Sequence, residues 1–236
     1  MSSLHILGVR IDNVSMAEVL DKIRDFLGDG RQHYVVTPNP EFLVLAQKDN
    51  EFRDILNQAD LSVADGVGLI FASRFLGEPL RERVAGVNLV QNLRFKIRDL
   101  RIFLLGGRNG AAEKIAEDWP QIAGFTEKID EAVNSINRCQ PEILLVALGA
   151  PKQEKWIAQN LGKIPSVKVA IGVGGAFDLL SGQIKRAPKI FQALGLEWLW
   201  RLFREPRRWR KVWRSVVVFP IIVLRQKLLF SNSQEY

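Results

Sequence analysis

The chain has 236 residues, 47% of them hydrophobic and 25% charged, which excludes wholesale disorder and allows one large folded domain. Its formal charge of +7 is uneven: residues 181–236 hold 12 Lys and Arg against 3 Asp and Glu, whereas residues 1–180 hold 21 against 23. A near-neutral body with a basic end indicates an anionic partner for that end. Cys139 is the single cysteine, which excludes an internal disulfide and favours a reducing compartment.

Neither a signal peptide nor a spanning helix is predicted. The amino-terminal residues lack a basic lead followed by an apolar run. The longest apolar run, 216–224, is interrupted by Pro220, and a spanning helix needs about 20 residues. We therefore expect a protein that is not secreted and does not cross a membrane.

Short β-branched runs alternate with amphipathic segments along the chain. In chain order the predicted elements are strand 33–36, helix 40–59 (one helix or two), strand 61–64, helices 68–76 and 87–99, strand 101–105, helices 109–119 and 130–139, strand 142–148, helix 151–161 and strand 167–171. Alternation of this kind, with continuously apolar strands, predicts a Rossmann-like α/β body: a parallel sheet with helices on both faces.

Polar residues or glycines follow all five predicted strands. Carboxyl ends of parallel strands share one edge of the sheet, where open α/β sheets bind ligands, so we expect one crevice there. Glycines would let backbone amides approach a phosphate, although each glycine cluster alone is typical of a tight turn. The spacing of a dinucleotide fingerprint is missing, which disfavours NAD. The crevice candidates are Thr37, Asn39, Asp65, Gly106, Gly107, Gly149, Gly174 and Gly175.

Asp65 stands between an apolar strand and Gly66. Its carboxylate suits a general base in the crevice, and it equally suits an N-cap of the next helix; spacing alone leaves the two open. Thr37 and Asn39 offer a hydroxyl and an amide suited to sugar hydroxyls or an acetamido group, or they serve the turn around Pro38.

No metal site and no cofactor are predicted. His5 and His33 lie far apart in the chain, Cys139 is alone, and no D-x-D pair is present. Any bound diphosphate would then have to be met by backbone dipoles, Arg or Lys.

From Pro206 the sequence predicts a helix with two different faces. Its apolar stripe comprises Trp209, Val212, Trp213 and Val216, and its opposite side carries Arg207, Arg208, Lys211 and Arg214. Tryptophans and cations on opposite faces are typical of a helix in a membrane interface. Nucleic acid is the competing partner, but the apolar continuation favours lipid or a protein groove. An ordinary helix that packs its tryptophans on the body is the third alternative.

A second stripe of cations precedes and overlaps this helix. It comprises Arg201, Arg204, Arg208 and Lys211, spaced for one helical face away from the tryptophans. We expect this stripe to face the crevice and grip a diphosphate, with bidentate contacts from arginine and a point charge from lysine. The alternative is contact with lipid head groups only.

Four long segments carry a resemblance to a known family. Residues 37–49, 64–86, 144–157 and 172–202 resemble the WecG/TagA/CpsF family of bacterial glycosyltransferases (glycosyltransferase family 26), and the similarity runs from about residue 5 to about residue 215. The resemblance implies transfer of a sugar, usually N-acetylmannosamine or its uronic acid, from a UDP-sugar to a lipid-linked sugar diphosphate. The acceptor is typically N-acetylglucosaminyl-diphospho-undecaprenol, used in surface-polymer assembly on the cytoplasmic leaflet of the bacterial cell membrane.

By the same resemblance, Asp65 would be the base, with Thr37 and Asn39 lining the donor pocket. Arg83 and Gln153 match further pocket positions. Without the resemblance, Arg83 could form a surface ion pair with Glu82 or Glu78, and Gln153 could lie in a solvated first helical turn. The segment between Trp119 and Asp130 is shorter than family members usually have, which leaves an edge strand there open.

The sequence thus predicts a metal-independent inverting glycosyltransferase that is cytoplasmic and peripheral on the inner membrane face. Residues 1–195 would form the catalytic domain, here called the body, and residues 196–236 a helical membrane-binding appendage. Its partners would be a UDP-sugar, a lipid-linked diphosphate and an anionic membrane surface. A non-enzymatic, membrane-associated nucleotide-binding or scaffold protein is the alternative, and a nucleic-acid binder comes third. Assembly into a homo-oligomer is left open.

Overall fold

A six-stranded parallel sheet forms the centre of the computed structural model, which describes residues 2–97 and 100–232. An antiparallel hairpin of β1 (Ser3–Ile6) and β2 (Val9–Asp12) precedes it. The sheet strands are β3 (His33–Val36), β4 (Leu61–Ser62), β5 (Ile102–Gly106), β6 (Ile122–Thr126), β7 (Ile143–Ala147) and β8 (Val169–Gly172). Their order is β4-β3-β8-β7-β5-β6, and every neighbouring pair is parallel.

Helices connect the strands and form the carboxyl-terminal segment. They are α1 (Met16–Gly28), α2 (Pro40–Ala46), α3 (Asn50–Gln58), α4 (Val67–Leu76), α5 (Gly86–Lys96), α6 (Ala111–Asp118), α7 (Ala132–Cys139), α8 (Lys152–Asn160), α9 (Ala176–Leu180), α10 (Lys189–Ala193), α11 (Glu197–Arg204), α12 (Trp209–Trp213) and α13 (Phe219–Asn232). Short 3-10 turns occupy Leu161–Lys163 and Pro206–Arg208, and a π-helical stretch, Arg214–Val218, joins α12 to α13.

Helices cover both faces of the sheet, as the strand pattern predicts. Along β5, Ile102 and Leu104 are buried in one apolar cluster, whereas Phe103 and Leu105 are buried in another. The first cluster includes residues of α1, α5, α6 and α9, and the second includes residues of α7 and α8. Successive side chains of a strand point to opposite faces, so a strand buried on both sides is continuously apolar.

The structure adds elements that the sequence pattern did not predict. The hairpin of β1 and β2, helix α1 and strand β6 are among them. The edge strand left open between Trp119 and Asp130 does form, because β6 pairs with β5. Predicted helix 40–59 is two helices, since Asp49 caps α3 by accepting a hydrogen bond from the amide of Phe52.

Strand β4 is shorter than predicted, but backbone hydrogen bonds to the chain segment of β3 continue beyond its end. The amide of Val63 donates to the carbonyl of Val36, and the amide of Asp65 donates to the carbonyl of Pro38 at 2.8 Å. These bonds keep residues 63–65 beside residues 36–38. The end of β4 and the end of β3 therefore deliver their side chains to the same place.

The appendage changes direction at Glu205 and then returns to the body. Glu205 is extended, with φ −130° and ψ 75°, because a residue before proline disfavours the helical region. Farther on, Phe219 and Val223 of α13 are buried in a cluster with residues of α2 and α4. The amide of Leu7 donates to Gln226 Oε1 at 3.0 Å. The appendage thus shares an apolar core with the body, and its division at residue 195 stays a prediction.

No helix among the described residues is long and apolar enough to span a membrane.

Candidate active site

A cavity of about 660 Å³ opens at the carboxyl ends of β3, β4 and β8, between the body and the appendage. Its polar lining comprises Thr37, Asn39, Glu41, Asp65, Arg83, Gln153, Gly174, Gly175, Glu197, Arg201, Arg208, Lys211 and Ser215. Its apolar lining includes Phe71, Phe75, Trp198, Val212, Val216, Phe219, Pro220, Val223 and Leu224. Most of the residues predicted for one crevice do meet here, together with an apolar part that the sequence did not predict.

Asp65 lies in the polar part and does not cap a helix. The N-cap of α4 is Gly66, with φ +126° and no side-chain hydrogen bond to the helix. A Cβ at Gly66 would lie 3.1 Å from the ring of Pro40, so this tight turn requires glycine. The capping alternative for Asp65 is therefore wrong, and its carboxylate is available to the cavity.

The surroundings of Asp65 make its carboxylate an unusually strong base. Burial raises the pKa of Asp65 to about 6, although the Arg83 guanidinium and the backbone amide of Gly86 oppose this rise. A carboxylate with such a pKa is charged near neutral pH and holds a proton more readily than an exposed one. Gly86, which the sequence analysis missed, sits where a Cβ would be 3.6 Å from Asp65 Oδ2 and 3.7 Å from Thr37 Oγ1.

Thr37 and Asn39 combine cavity lining with turn chemistry. The hydroxyl of Thr37 donates to the carbonyl of Gly172 at 2.9 Å, which ties the end of β3 to the end of β8. Asn39 caps α2, because its Oδ1 accepts from the amides of Glu41 at 2.9 Å and Phe42 at 3.3 Å. The local turn role of Asn39 is confirmed, and its contact with a sugar stays a prediction.

Gln153 is fully buried and joins two loops of the cavity edge. Its Oε1 accepts from the amides of Gly149 at 3.1 Å and Gly174 at 3.0 Å, and its Nε2 donates to Glu154 Oε1 at 2.6 Å. Burial also raises the pKa of Glu154 to about 7. A solvated position for Gln153 is thus wrong, and the loops after β7 and β8 are held at a fixed separation.

Three predicted glycines lie away from the cavity. Gly149 is not part of the lining, although Gln153 binds its amide. Gly106 ends β5 and approaches Leu148, and Gly107 follows it and approaches Phe177. Because β5 is three strand positions from β3, these glycines start about 14 Å from Thr37. Gly174 and Gly175, after β8, do line the cavity.

Arg83 faces the cavity and forms an ion pair with Glu197 at the start of α11. The alternative partners Glu82 and Glu78 are therefore wrong for Arg83. Glu197 also lies 3.5 Å from the guanidinium of Arg186. Both ion pairs link the body to the appendage.

Arg201 brings a cation from the appendage directly onto the sheet edge. Its guanidinium packs against Gly175, where a Cβ would lie only 2.9 Å away. It also lies 3.5 Å from Asp178 and 3.3 Å from Glu205. Glycine at 175 is needed for this close approach, which the sequence motif alone does not explain.

Arg208 and Lys211 complete the cation cluster of the cavity, here defined as Arg83, Arg201, Arg208 and Lys211. Arg208 lies 3.5 Å from Glu205, and Lys211 lies 3.7 Å from Glu41. Burial and the neighbouring Arg201 lower the pKa of Arg208. Two adjacent guanidinium groups that share one carboxylate provide a position where a further anion is stabilised.

The predicted stripe of four cations is wrong at Arg204. Because α11 ends there and the chain turns at Glu205, no single helix carries all four residues. Arg204 is exposed and lies over the ring of Trp200. Its three companions in the stripe line the cavity.

The tryptophans predicted to bind membrane point away from the body. Trp209 is 57% exposed and Trp213 is 55% exposed, so packing of these side chains on the body is wrong. Arg207 is also exposed, whereas Arg214 lies 3.3 Å from Glu41 of the body. The appendage thus separates outward tryptophans from the cations that line the cavity.

Within residues 2–97 and 100–232, no group of three or more His, Cys, Asp and Glu could hold a metal ion. Independence from metal stays a prediction.

The apolar part of the lining was missed, although one signal for it exists. Helix 68–76 is apolar on nearly all sides, and Phe71 and Phe75, one turn apart, are 62% and 42% exposed. A helix with more apolar surface than the core can cover indicates a second contact.

Comparison with known proteins agrees over nearly the full chain. The model of the Glycosyl transferase WecG/TagA/CpsF family matches residues 4–233. Two relatives, from Staphylococcus aureus strains MRSA252 and MW2, are each 32% identical over 243 residues, which cover 96% of this chain and 94% of the relative. Both carry the name N-acetylglucosaminyldiphosphoundecaprenol N-acetyl-beta-D-mannosaminyltransferase.

The Asp65 carboxyl should titrate at about pH 6, and Arg83→Gln should move its midpoint upward. Removal of the cation disfavours the charged carboxylate, and the Glu197 charge then acts on Asp65 without its partner. Carboxyl carbon NMR of labelled protein measures both midpoints. Arg81→Gln is the matched control, because Arg81 is exposed and pairs with Glu18. A downward shift in Arg83→Gln would contradict the electrostatic account.

Proposed function

The chain belongs to the WecG/TagA/CpsF glycosyltransferase family, and we propose that it transfers N-acetylmannosamine from a UDP-sugar to N-acetylglucosaminyl-diphospho-undecaprenol. The activity in the names of the two staphylococcal relatives supports this donor sugar and this acceptor. Those names favour the enzyme over the non-enzymatic scaffold that the sequence left as the alternative.

The observation that carries the proposal is the arrangement of opposite charges across one cavity. Asp65, whose pKa is raised, faces a cavity that also presents the cation cluster. Transfer from a sugar diphosphate needs a base at the attacking hydroxyl and positive charge at the departing diphosphate. The cavity offers both within one space.

In the proposed step, Asp65 removes the proton from an acceptor hydroxyl while that oxygen attacks the anomeric carbon. The bond between this carbon and the UDP oxygen breaks, and the bonding electrons leave with UDP. Attack from the face opposite UDP inverts the anomeric configuration. The arginines of the cation cluster stabilise the charge that develops on the diphosphate of UDP, beside the turn at Gly174 and Gly175 that Gln153 holds in place.

Thr37 and Asn39 would contact the donor sugar beside Asp65. The Thr37 hydroxyl lies close to the Asp65 carboxylate. It donates a hydrogen bond to the carbonyl of Gly172, and its oxygen can still accept one from the sugar. Both side chains are uncharged, which suits hydroxyl and acetamido groups. This assignment orients the sugar with its anomeric carbon toward the acceptor.

The appendage would hold the enzyme on the inner face of the cell membrane, where the lipid-linked acceptor resides. The outward Trp209 and Trp213 would enter the interface, and Arg207 would contact anionic head groups. Arg214, which also faces Glu41, would contribute at the edge of this surface. The same segment would then anchor the enzyme and supply cavity cations.

Asp65→Asn should reduce the transfer rate by about 10²–10⁴-fold, the usual contribution of a general base. UDP affinity should change little, because the amide keeps the shape of the carboxyl group. The wild-type rate should also fall as the pH drops through about 6, since a protonated Asp65 cannot accept a proton. Mass spectrometry of the lipid product and UDP calorimetry measure the two effects, with exposed Asp25→Asn as control. Near-normal turnover in Asp65→Asn would exclude its role as base.

Arg201→Ala and Arg208→Ala should each lower the rate by about tenfold or more on a short-chain soluble acceptor in detergent. Membrane recruitment is irrelevant there, so the loss reports on the diphosphate. Arg204→Ala and Arg207→Ala are matched controls from the same segment, with exposed side chains outside the cavity lining. Thermal unfolding checks that all four variants are folded. If their transfer rates are then equal, the appendage serves as an anchor only.

Trp209→Ala with Trp213→Ala should weaken vesicle binding even at high salt, because apolar burial is lost. Charge reversal at Arg207 should weaken binding mainly to anionic vesicles, and salt should screen this effect. Vesicle co-sedimentation at two salt concentrations distinguishes the contributions. Undiminished binding by the tryptophan variant would remove the proposed anchor.

A further inference from the structure

The apolar part of the cavity forms a groove between α4 and α13. One wall carries Phe71 and Phe75, and the other carries Pro220 and Leu224. Phe71 is 62% exposed, Phe75 42% and Leu224 50%. Large apolar side chains that face each other across a cavity yet stay open to water indicate an apolar ligand.

The two walls are held apart at a fixed spacing. Phe219 and Val223 are buried beneath the groove and join α13 to the core. At its far end, Lys227 Nζ donates to the carbonyl of Phe75 at 2.7 Å and lies 4.1 Å from the centre of the Phe75 ring. The groove is therefore a built feature of the packed helices.

One end of the groove meets the chemistry of the cavity. Helix α4 starts at Val67, directly after Asp65 and Gly66, and Phe75 lies about 12 Å farther along it. On the opposite side, Lys211 is followed on the next turn by Ser215 and Val216, which also line the cavity. A ligand with a charged head and a long apolar chain would thus place its head at the cations and its chain in the groove.

The side of the groove formed by the appendage continues into an exposed apolar stripe. The members of this stripe recur on one helical face and are Trp209, Trp213, Val216, Leu224 and Leu228. Val216 and Leu224 belong to the stripe and line the groove as well. An apolar chain could therefore pass from a membrane surface into the groove without crossing water.

We propose that this groove, called the prenyl groove, binds the first isoprene units of the prenyl diphosphate acceptor, an inference that rests on the proposed function. The acceptor sugar then lies at Asp65, the acceptor diphosphate at Lys211 where the groove meets the cavity, and the chain along Phe71 and Phe75. The UDP diphosphate keeps the arginines of the cation cluster. An acyl chain of a bilayer phospholipid fits less well, because its head group would occupy the position of the acceptor sugar.

The test compares binding of two probes, geranylgeranyl diphosphate below its micelle concentration and inorganic diphosphate. Wild type should bind the prenyl probe about tenfold or more tightly, the scale expected when a Phe-sized apolar contact is removed from water. Phe71→Ser with Phe75→Ser should abolish most of this preference and leave affinity for inorganic diphosphate unchanged. Phe95→Ser, a similarly exposed phenylalanine on α5 outside the cavity, should keep the preference.

Two results would overturn the prenyl groove. One is equal binding of both probes by wild type, and the other is an unchanged preference for the prenyl probe in the variant with serine at Phe71 and Phe75. Loss of vesicle binding or a change in oligomeric state in that variant, with its probe preference intact, would assign the groove to acyl chains or to a second copy. Loss of the preference in the variant supports the groove whether or not wild type transfers the sugar. Absence of sugar transfer by wild type would refute the proposed function and leave the groove standing.

Discussion

Ion pairs between the body and the appendage are the interaction on which the site depends. Glu197 reaches back to Arg83, Arg201 reaches Asp178, and Lys211 reaches Glu41. Each pair fixes one wall of the cavity against another, and buried Phe219 secures the same arrangement through the apolar core. Without these contacts the sheet edge would keep Asp65 but lose most of its positive charge. The appendage is thus a structural part of the site.

Asp65 shows how the fold changes the acid–base properties of an ordinary residue. The backbone bonds that hold residues 63–65 beside residues 36–38 place its carboxylate among buried groups. Burial raises the pKa of Asp65, and Arg83 limits that rise so that the charged form still prevails near neutral pH. Burial therefore makes the Asp65 carboxylate a stronger base, and the Arg83 charge keeps it ionised.

Strands and most helices of the body could be predicted from the sequence, because continuous apolar runs report burial directly. Asp65 could be placed at the sheet edge by its position after a strand, whereas the resemblance to a family alone indicated a pocket position for Gln153. The exclusion of Gly106 could not be predicted, since it depends on strand order. The partner of Arg83 could not be predicted either, since it depends on how α11 packs on the body. The break before Pro206 was visible in the sequence, but its effect on Arg204 needed three dimensions.

The carboxylates that pair with the cation cluster have a consequence for turnover. Glu41, Glu197 and Glu205 already occupy the cations when no substrate is bound. A diphosphate that enters must exchange places with these internal counter-ions, so its net affinity is the difference between two sets of similar contacts. In the proposed reaction the same carboxylates would reclaim the cations afterwards and so displace UDP. Under the proposed function, such a site would exchange some ground-state affinity for faster release of its product.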